Sequence, residues 1–533
     1  MSLDAFPSWF RRQRRLLARV RRLPIRRVPE APALPVRDPW PGDPVRGARL
    51  LQGELEVAGS VIALAPGRWD QAAAPGPLAP VAHGFTWLRD LRALGTDAAR
   101  LRARALVGEW IADTKVDDIA RRPDVMGARI TAWLGHYDFF AASADDGFRH
   151  KLMGRLVADA YDLSAALPPE ELDERALTAL KGLIAAAVAL PDYTAFLTRA
   201  LRFLPQEIAR QVLPDGCHVE RSPAAHLAAL QDLTEIRALL QASQTTPPPA
   251  LGSAILRMAA ALRMLRHGDG GLALFNGSKE EQPALIEAVL AQAGRTGRGA
   301  VKMDNGRFVR LQAGRSVLMV DAGPPPAPGL DRYAHAGTLS LEMSVGRERL
   351  IVNCGAMPGA GQQWQDAARA TAAHSTLVMA DLSSAELKPH GLGRRPRQVE
   401  ARLQTLSGGS SLEASHDGWQ VPLGAIHHRR IVIADSGEEI YGEDAVMAAQ
   451  PQPFVVRFHL HPAVTASLLQ DGDGVLLRLP SGAGWQLRTD AAQIVLEESI
   501  YLGGTEPRRA EQVVLSGFVD GPQQVKWTLN KVG

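Results

Sequence analysis

Near residue 300 the apolar residues of this chain change their spacing, and that change restricts the folds open to it. From about 84 to 295, segments such as TWLRDLRALGTDAARLRARALVGEWIADT and EELDERALTALKGLIAAAVAL repeat Leu, Ala and Val at helical intervals. After 300 the runs shorten to GRFVRLQAG, SVLMVDAG, LSLEMSVG, ERLIVNCG, STLVMAD, RRIVIAD and GVLLRLP, alternating with period two and separated by turn residues. Helices followed by strands predict an all-α domain and then a large antiparallel β domain, closed as a sandwich or barrel so that both sheet faces are covered. A chain of 533 residues is too long for one ordinary core. The expected division is a basic, proline-rich segment over 1–48, an all-α domain over 49–298 and the β domain over 299–533.

The formal charge of +3 is close to balance and gives no basis for a nucleic-acid partner. Two cysteines, Cys217 and Cys354, are too few for a disulfide framework, with one bridge between them left open, and no CxxC pair supplies a cysteine zinc site. No run of ~20 apolar residues marks a membrane span. The stretch FPSWFRRQRRLLARVRRLPIRR carries nine arginines between Arg11 and Arg27 without the apolar run of a secretory signal. Cytoplasmic residence is therefore expected, with the cell envelope or periplasm as the alternative. On a helix, Trp9, Gln13, Leu16, Leu17 and Val20 share one face and arginines the rest. That pattern suits peripheral contact with an anionic membrane, or a helix packed on the main domain with its arginines solvated. Residues 28–48, VPEAPALPVRDPWPGDPVRGA, read as a linker or extended wrap rather than a helix.

Chemistry-bearing residues gather in two places. The stretch RYAHAGTLSLEMSVGRERLIVNCG, 332–355, sets Tyr333 and His335 at the start of a strand, side chains on one face, ahead of two runs expected to pair as a hairpin. They read either as a reactive pair or as a sheet-edge pair bonded for structural reasons. Asn353 closes the next run and His374 starts a third, so His335, Asn353 and His374 are expected at one end of adjacent strands. In LPDGCHVERSPAAHLAAL, 213–230, Ser222 is expected to cap a helix that begins at Pro223. Ahead of it His218, Glu220 and Arg221 share an extended loop, with His226 one turn into the helix, a pattern suited to an anion.

Taken in order, DPWPGDPVRG, FTWLRDLRALG, DGCHVERSPAAH, YAHAGTLSLEMS, LIVNCG, ARATAAHSTLV, SHDGW, RFHLHP and LEESIYLG resemble the motif series of the heparinase II/III family of polysaccharide lyases, across nearly the whole chain. The resemblance implies an incomplete α/α toroid followed by an antiparallel β-sandwich, and an acidic polysaccharide cut at the 4-position of a uronic acid by β-elimination. That chemistry needs donors or cations to hold the developing enolate, a base for the C5 proton and an acid for the leaving oxygen. It implies catalytic roles for Tyr333, His335 and His218. Glu220, Arg221, His226 and His374 become substrate contacts, with Arg221 as the carboxylate clamp.

The chain also departs from the family pattern. Ala225 stands where relatives carry a catalytic tyrosine, and no Asn-His pair occurs in residues 165–200. Tyr333 replaces the first histidine of an HxHxD pattern. Some relatives hold structural zinc through positions that correspond to His335, Asn353 and His374, where the amide of Asn353 replaces a carboxylate. The reaction itself requires no cofactor. Two alternatives stay open: a catalytically silent glycan-binding or cell-envelope protein, and a hydrolase using Glu220 and Asp215.

Overall fold

The computed structural model describes residues 28–64, 78–113, 118–168, 173–190, 193–294, 302–491 and 493–532. The arginine-rich face at Trp9–Val20 and the expected boundary at 298/299 lie outside them. The molecule divides into two compact units, one formed by the chain up to Arg210 with Gln231–Ile255, the other by Gln211–Leu230 and Leu256 onward. The chain thus changes unit more than once. Among the described residues no helix is long and apolar enough to cross a membrane.

The first unit is helical. Helix Pro123–Gly135 lies against Arg175–Ala189, and small residues set their approach: a Cβ on Gly182 would fall 2.2 Å from the Cα of Gly127. The DPWPGD motif is tied to the helices of this unit by buried hydrogen bonds. The Asp38 carboxylate accepts from the amide of Trp40 at 2.9 Å and from Arg89 Nε at 3.1 Å, and the indole of Trp40 donates to Glu235 at 2.6 Å. Lys181 lies between Asp232 and Glu235 at 2.6 and 3.1 Å, which raises its pKa despite burial. Residues 44–48 correct the linker reading, because they open helix Pro44–Leu51. Asp43 caps that helix and Pro44 fills its first position, where no amide hydrogen is needed.

The second unit is a sandwich of two antiparallel sheets. One sheet runs in the order Val399–Leu406, Gly409–Trp419, Ala425–Ala434, Glu439–Met447, Pro522–Val532, Gly484–Thr489, Gly474–Arg478, Thr465–Leu468. The other runs Gln493–Tyr501, Arg508–Val519, Gln452–Leu460, Glu348–Val352, Leu341–Val345, Ser316–Asp321, Phe308–Ala313, with Leu377–Met379 paired to Gln452–Leu460. Leu412, Trp419, Ile431, Phe458, Trp485 and Trp527 belong to the core of this unit. The expected hairpin forms between Leu341–Val345 and Glu348–Val352. Its first strand starts at Leu341, however, and not at Tyr333. A turn from Gly337 to Ser340, with Leu339 at φ +62°, precedes it and takes Tyr333 and His335 off the sheet.

Candidate functional site

The site in the second unit is built on two histidines. His374 donates from Nδ1 to the carbonyl of Ala370 at 2.8 Å, which leaves its Nε2 to accept. His335 Nδ1 lies 3.0 Å from that Nε2 and so donates to it. The lone pair of His335 is thereby fixed on Nε2, which takes no hydrogen bond from another described residue. Residue 277, a glycine at φ +73°, lies beside this nitrogen. A Cβ there would lie 3.9 Å from His335 Nε2 and 3.2 Å from Tyr333 Cβ. Burial holds His335 well below the ordinary histidine range, with the neighbouring His374 and Arg369 adding to the effect, and burial likewise lowers His374 to about 4. Both rings are therefore neutral at physiological pH, the form in which imidazole is a base. Tyr333 is half exposed, at 52%, so the two residues that the sequence sets on one face diverge, one outward and one inward.

Asn276, which sequence reading missed, connects the two predicted clusters. Its side chain donates to the carbonyl of Arg221 at 3.0 Å and accepts the amide of His335 at 3.2 Å. It sits at φ +45°, a conformation asparagine tolerates better than most residues, in a Phe-Asn-Gly-Ser turn whose Asn-Gly pair is the available sequence signal. The Arg221 guanidinium donates to Gly306 O at 2.8 Å, to Pro324 O and to Asp321, and stacks 4.8 Å from Phe308. The expected clamp thus closes on the protein's own Asp321.

His218 and His226 are engaged internally. His218 Nε2 faces Gln211 Oε1 at 3.2 Å, and its Nδ1 accepts the amide of Glu220 at 3.4 Å, with the Glu220 carboxylate 3.7 Å away. His226 donates to Met258 O at 2.9 Å and accepts the amide of His218 at 3.3 Å; burial lowers its pKa to about 4. Ser222 Oγ accepts the amide of Ala225 at 3.4 Å, the cap expected for helix Pro223–Ala242.

Asn353 is held by Glu342, a second residue missed from sequence. This fully buried carboxylate accepts Asn353 Nδ2 at 2.9 Å, the amides of Asn353 and Leu274 at 3.0 and 3.1 Å, and His267 Nε2 at 2.8 Å. Burial pushes its pKa up to about 7 against these donors. Asn353 Oδ1 accepts the amide of Ser375 at 2.9 Å, next to His374. The amide of Asn353 is thus committed on both sides, to Glu342 and to Ser375, and supplies no carboxylate of the kind that relatives offer to zinc. Among the described residues no other group of three His, Cys, Asp or Glu side chains is placed to hold a metal. Cys217 and Cys354 are free and buried.

This combination of a helical toroid and an antiparallel β-sandwich is the fold of heparinase III. The Crystal Structure of Heparinase III superposes with a TM-score of 0.72 over 98% of this chain and 89% of that one, at 12% identity. A mutant of the heparan sulfate lyase HepC from Pedobacter heparinus gives 0.61 over 98% and 88%, at 14% identity. The family models for the heparinase II/III N-terminus and the heparinase II/III-like C-terminal region match residues 117–295 and 295–528. The chain belongs to the heparinase II/III-like family. It is also 33% identical over 528 residues to FtsZ-localized protein C of Caulobacter vibrioides, covering 94% of this chain and 91% of that protein.

Proposed function

We propose that the protein is a lyase that cuts a uronate-containing polysaccharide by β-elimination, with His335 as the base. The observation that carries this reading is the hydrogen-bond order from His335 through His374 to Ala370, which leaves one nitrogen of a neutral imidazole with its lone pair unengaged by any described residue, next to Gly277. In the reaction His335 Nε2 takes the C5 proton, the C4–C5 double bond forms, and the C4–O4 bond breaks. Tyr333 protonates the departing oxygen. His374 keeps His335 in the required tautomer and shares the charge that His335 acquires. Incubation with a panel of uronate polysaccharides tests the proposal through the ultraviolet absorbance of the unsaturated product. A rise with the parent protein that is lost in His335→Ala and Tyr333→Phe is expected; glycan binding with no rise on any substrate overturns it.

A second reading has a specific basis, because Ala225 lacks the phenol of relatives and the 33% identical relative is named for localisation with FtsZ. On this reading the protein is a silent glycan-binding or cell-envelope factor acting at the division site from the cytoplasm, with the arginine-rich N-terminus as its membrane contact. A fluorescent fusion that gathers at the division site equally well with and without His335→Ala, together with cell fractionation, tests it.

A further inference from the structure

Tyr333 sits in a surface whose other residues the elimination steps do not use. Arg369 fixes its frame, donating from Nε to Ala334 O at 3.1 Å and from its two terminal nitrogens to Lys388 O at 2.9 Å and Gly391 O at 2.6 Å. Asp331 adds a second tie, accepting the amide of Leu392 at 3.0 Å and Arg395 at 2.5 Å. Four buried residues, Ala334, Ala336, Ala385 and Leu392, fill the space between. The short hairpin Leu387–Lys388 with Gly391–Leu392 is thereby locked to the segment that carries Tyr333 and His335.

What this frame holds outward is cationic and aromatic. Arg332, Tyr333, Lys388 and His390 are all exposed, and the Arg332 guanidinium lies 5.3 Å from the centre of the Tyr333 ring. The nearby carboxylates are committed or weakly paired. Asp331 is bonded as described, whereas Glu386 accepts the amide of Arg394 at 3.0 Å and stands 3.9 Å from Lys388 with both side chains 54% exposed. An aromatic face with cations beside it matches a sugar ring that carries an anion: the ring stacks, and the carboxylate or sulfate meets the cation. Tyr333 and His335 both adjoin Gly277, where a Cβ would lie 3.2 Å from Tyr333 Cβ and 3.9 Å from His335 Nε2, so the surface at Tyr333 lies next to the proposed base.

We propose that Arg332, Tyr333, Lys388 and His390 form a binding strip for an anionic sugar residue adjacent to the one that His335 attacks. The strip rests on the lyase reading for its position in a reaction, but it is tested by binding alone. In a His335→Ala background, which removes turnover, binding of heparan sulfate and hyaluronan oligosaccharides is measured by titration calorimetry, with neutral dextran as the comparison. Arg332→Ala and Lys388→Ala should each weaken binding by about two- to fivefold and reduce its salt dependence. Tyr333→Ala should weaken it by about threefold or more, whereas Tyr333→Phe, which keeps the ring, should bind like the parent. Circular dichroism confirms that each variant is folded. Unchanged affinity in folded Arg332, Lys388 and Tyr333→Ala variants, equal affinity for dextran, or no binding of either acidic glycan overturns the strip. Binding that depends on these residues in a protein that never yields unsaturated product keeps the strip and overturns only the lyase reading.

Discussion

At the residue scale, function and stability rest on histidines with different surroundings. His335 keeps a nitrogen that no described donor occupies, and His335→Ala should lower any elimination rate by about a hundredfold or more. His427, inside strand Ala425–Ala434, belongs instead to a closed network. The Asp444 carboxylate accepts His427 and Arg429 at 2.7 Å and the indole of Trp527 at 3.0 Å, all within the sandwich interior. Arg429 then donates to Leu339 O and Ser375 O, which lie on the loops that carry the site. Removing the carboxylate leaves a buried guanidinium uncompensated, so Asp444→Ala should cost about 3–5 kcal/mol, read as a lower chemical-denaturation midpoint. The sequence led to the expectation that His335 and His374 meet at one end of adjacent strands; the two rings do meet, although His335 lies ahead of its strand and off the sheet. Asn276 and Glu342 were not legible. Asn276 reads as a turn residue, and Glu342 in LSLEMS reads as the polar member of a half-exposed strand. Strand Leu341–Val345 is in fact buried throughout, so its glutamate faces the interior and draws donors from residues 267, 274 and 353.

At the element scale, glycines mark where two parts of the chain come closer than a side chain permits. A Cβ on Gly337 would fall 2.6 Å from the His374 ring. Gly337→Ala should therefore displace His374 and reduce elimination, with a smaller effect on the thermal midpoint than Asp444→Ala. Gly182→Ala acts on packing instead, pressing a methyl group into the backbone of helix Pro123–Gly135. It should cost about 1–3 kcal/mol in a denaturation experiment. Neither contact was visible in the helical or strand periodicity, because that signal reports which face of an element is apolar and not which element meets it. The cap at Ser222 was visible, since capping depends only on residues within one turn.

At the scale of the whole molecule, the buried histidines link stability to pH. His226, His374 and His459 are lowered by burial to about 4, 4 and 3, and burial holds His267, His335 and His416 well below the usual range. In the unfolded chain each returns to an ordinary value near 6.5. Between that value and the folded ones the unfolded state binds more protons, so stability is complete above about pH 6.5 and falls as the pH drops toward 4. Glu342, raised to about 7, opposes this trend, because its folded form holds a proton more tightly than the unfolded chain does. As one group against several, it should only soften the fall. The thermal midpoint should decrease by several degrees between pH 6.5 and 4.5; a midpoint flat across that window would show that these rings are not neutral and buried together.

The sequence by itself determined the kinds of element and their order, a helical part and then a sandwich, because hydrophobic spacing, caps and turns act over a few residues. It also carried the family motifs, since those are short and ordered. Only the tertiary structure decided which polar groups meet. Arg221 found Asp321, Glu342 gathered His267, Leu274 and Asn353, and Asn276 linked Arg221 to His335 across 55 and 59 residues. Such pairings are fixed by the need to satisfy every donor and acceptor removed from water, and that need arises only once the chain has packed.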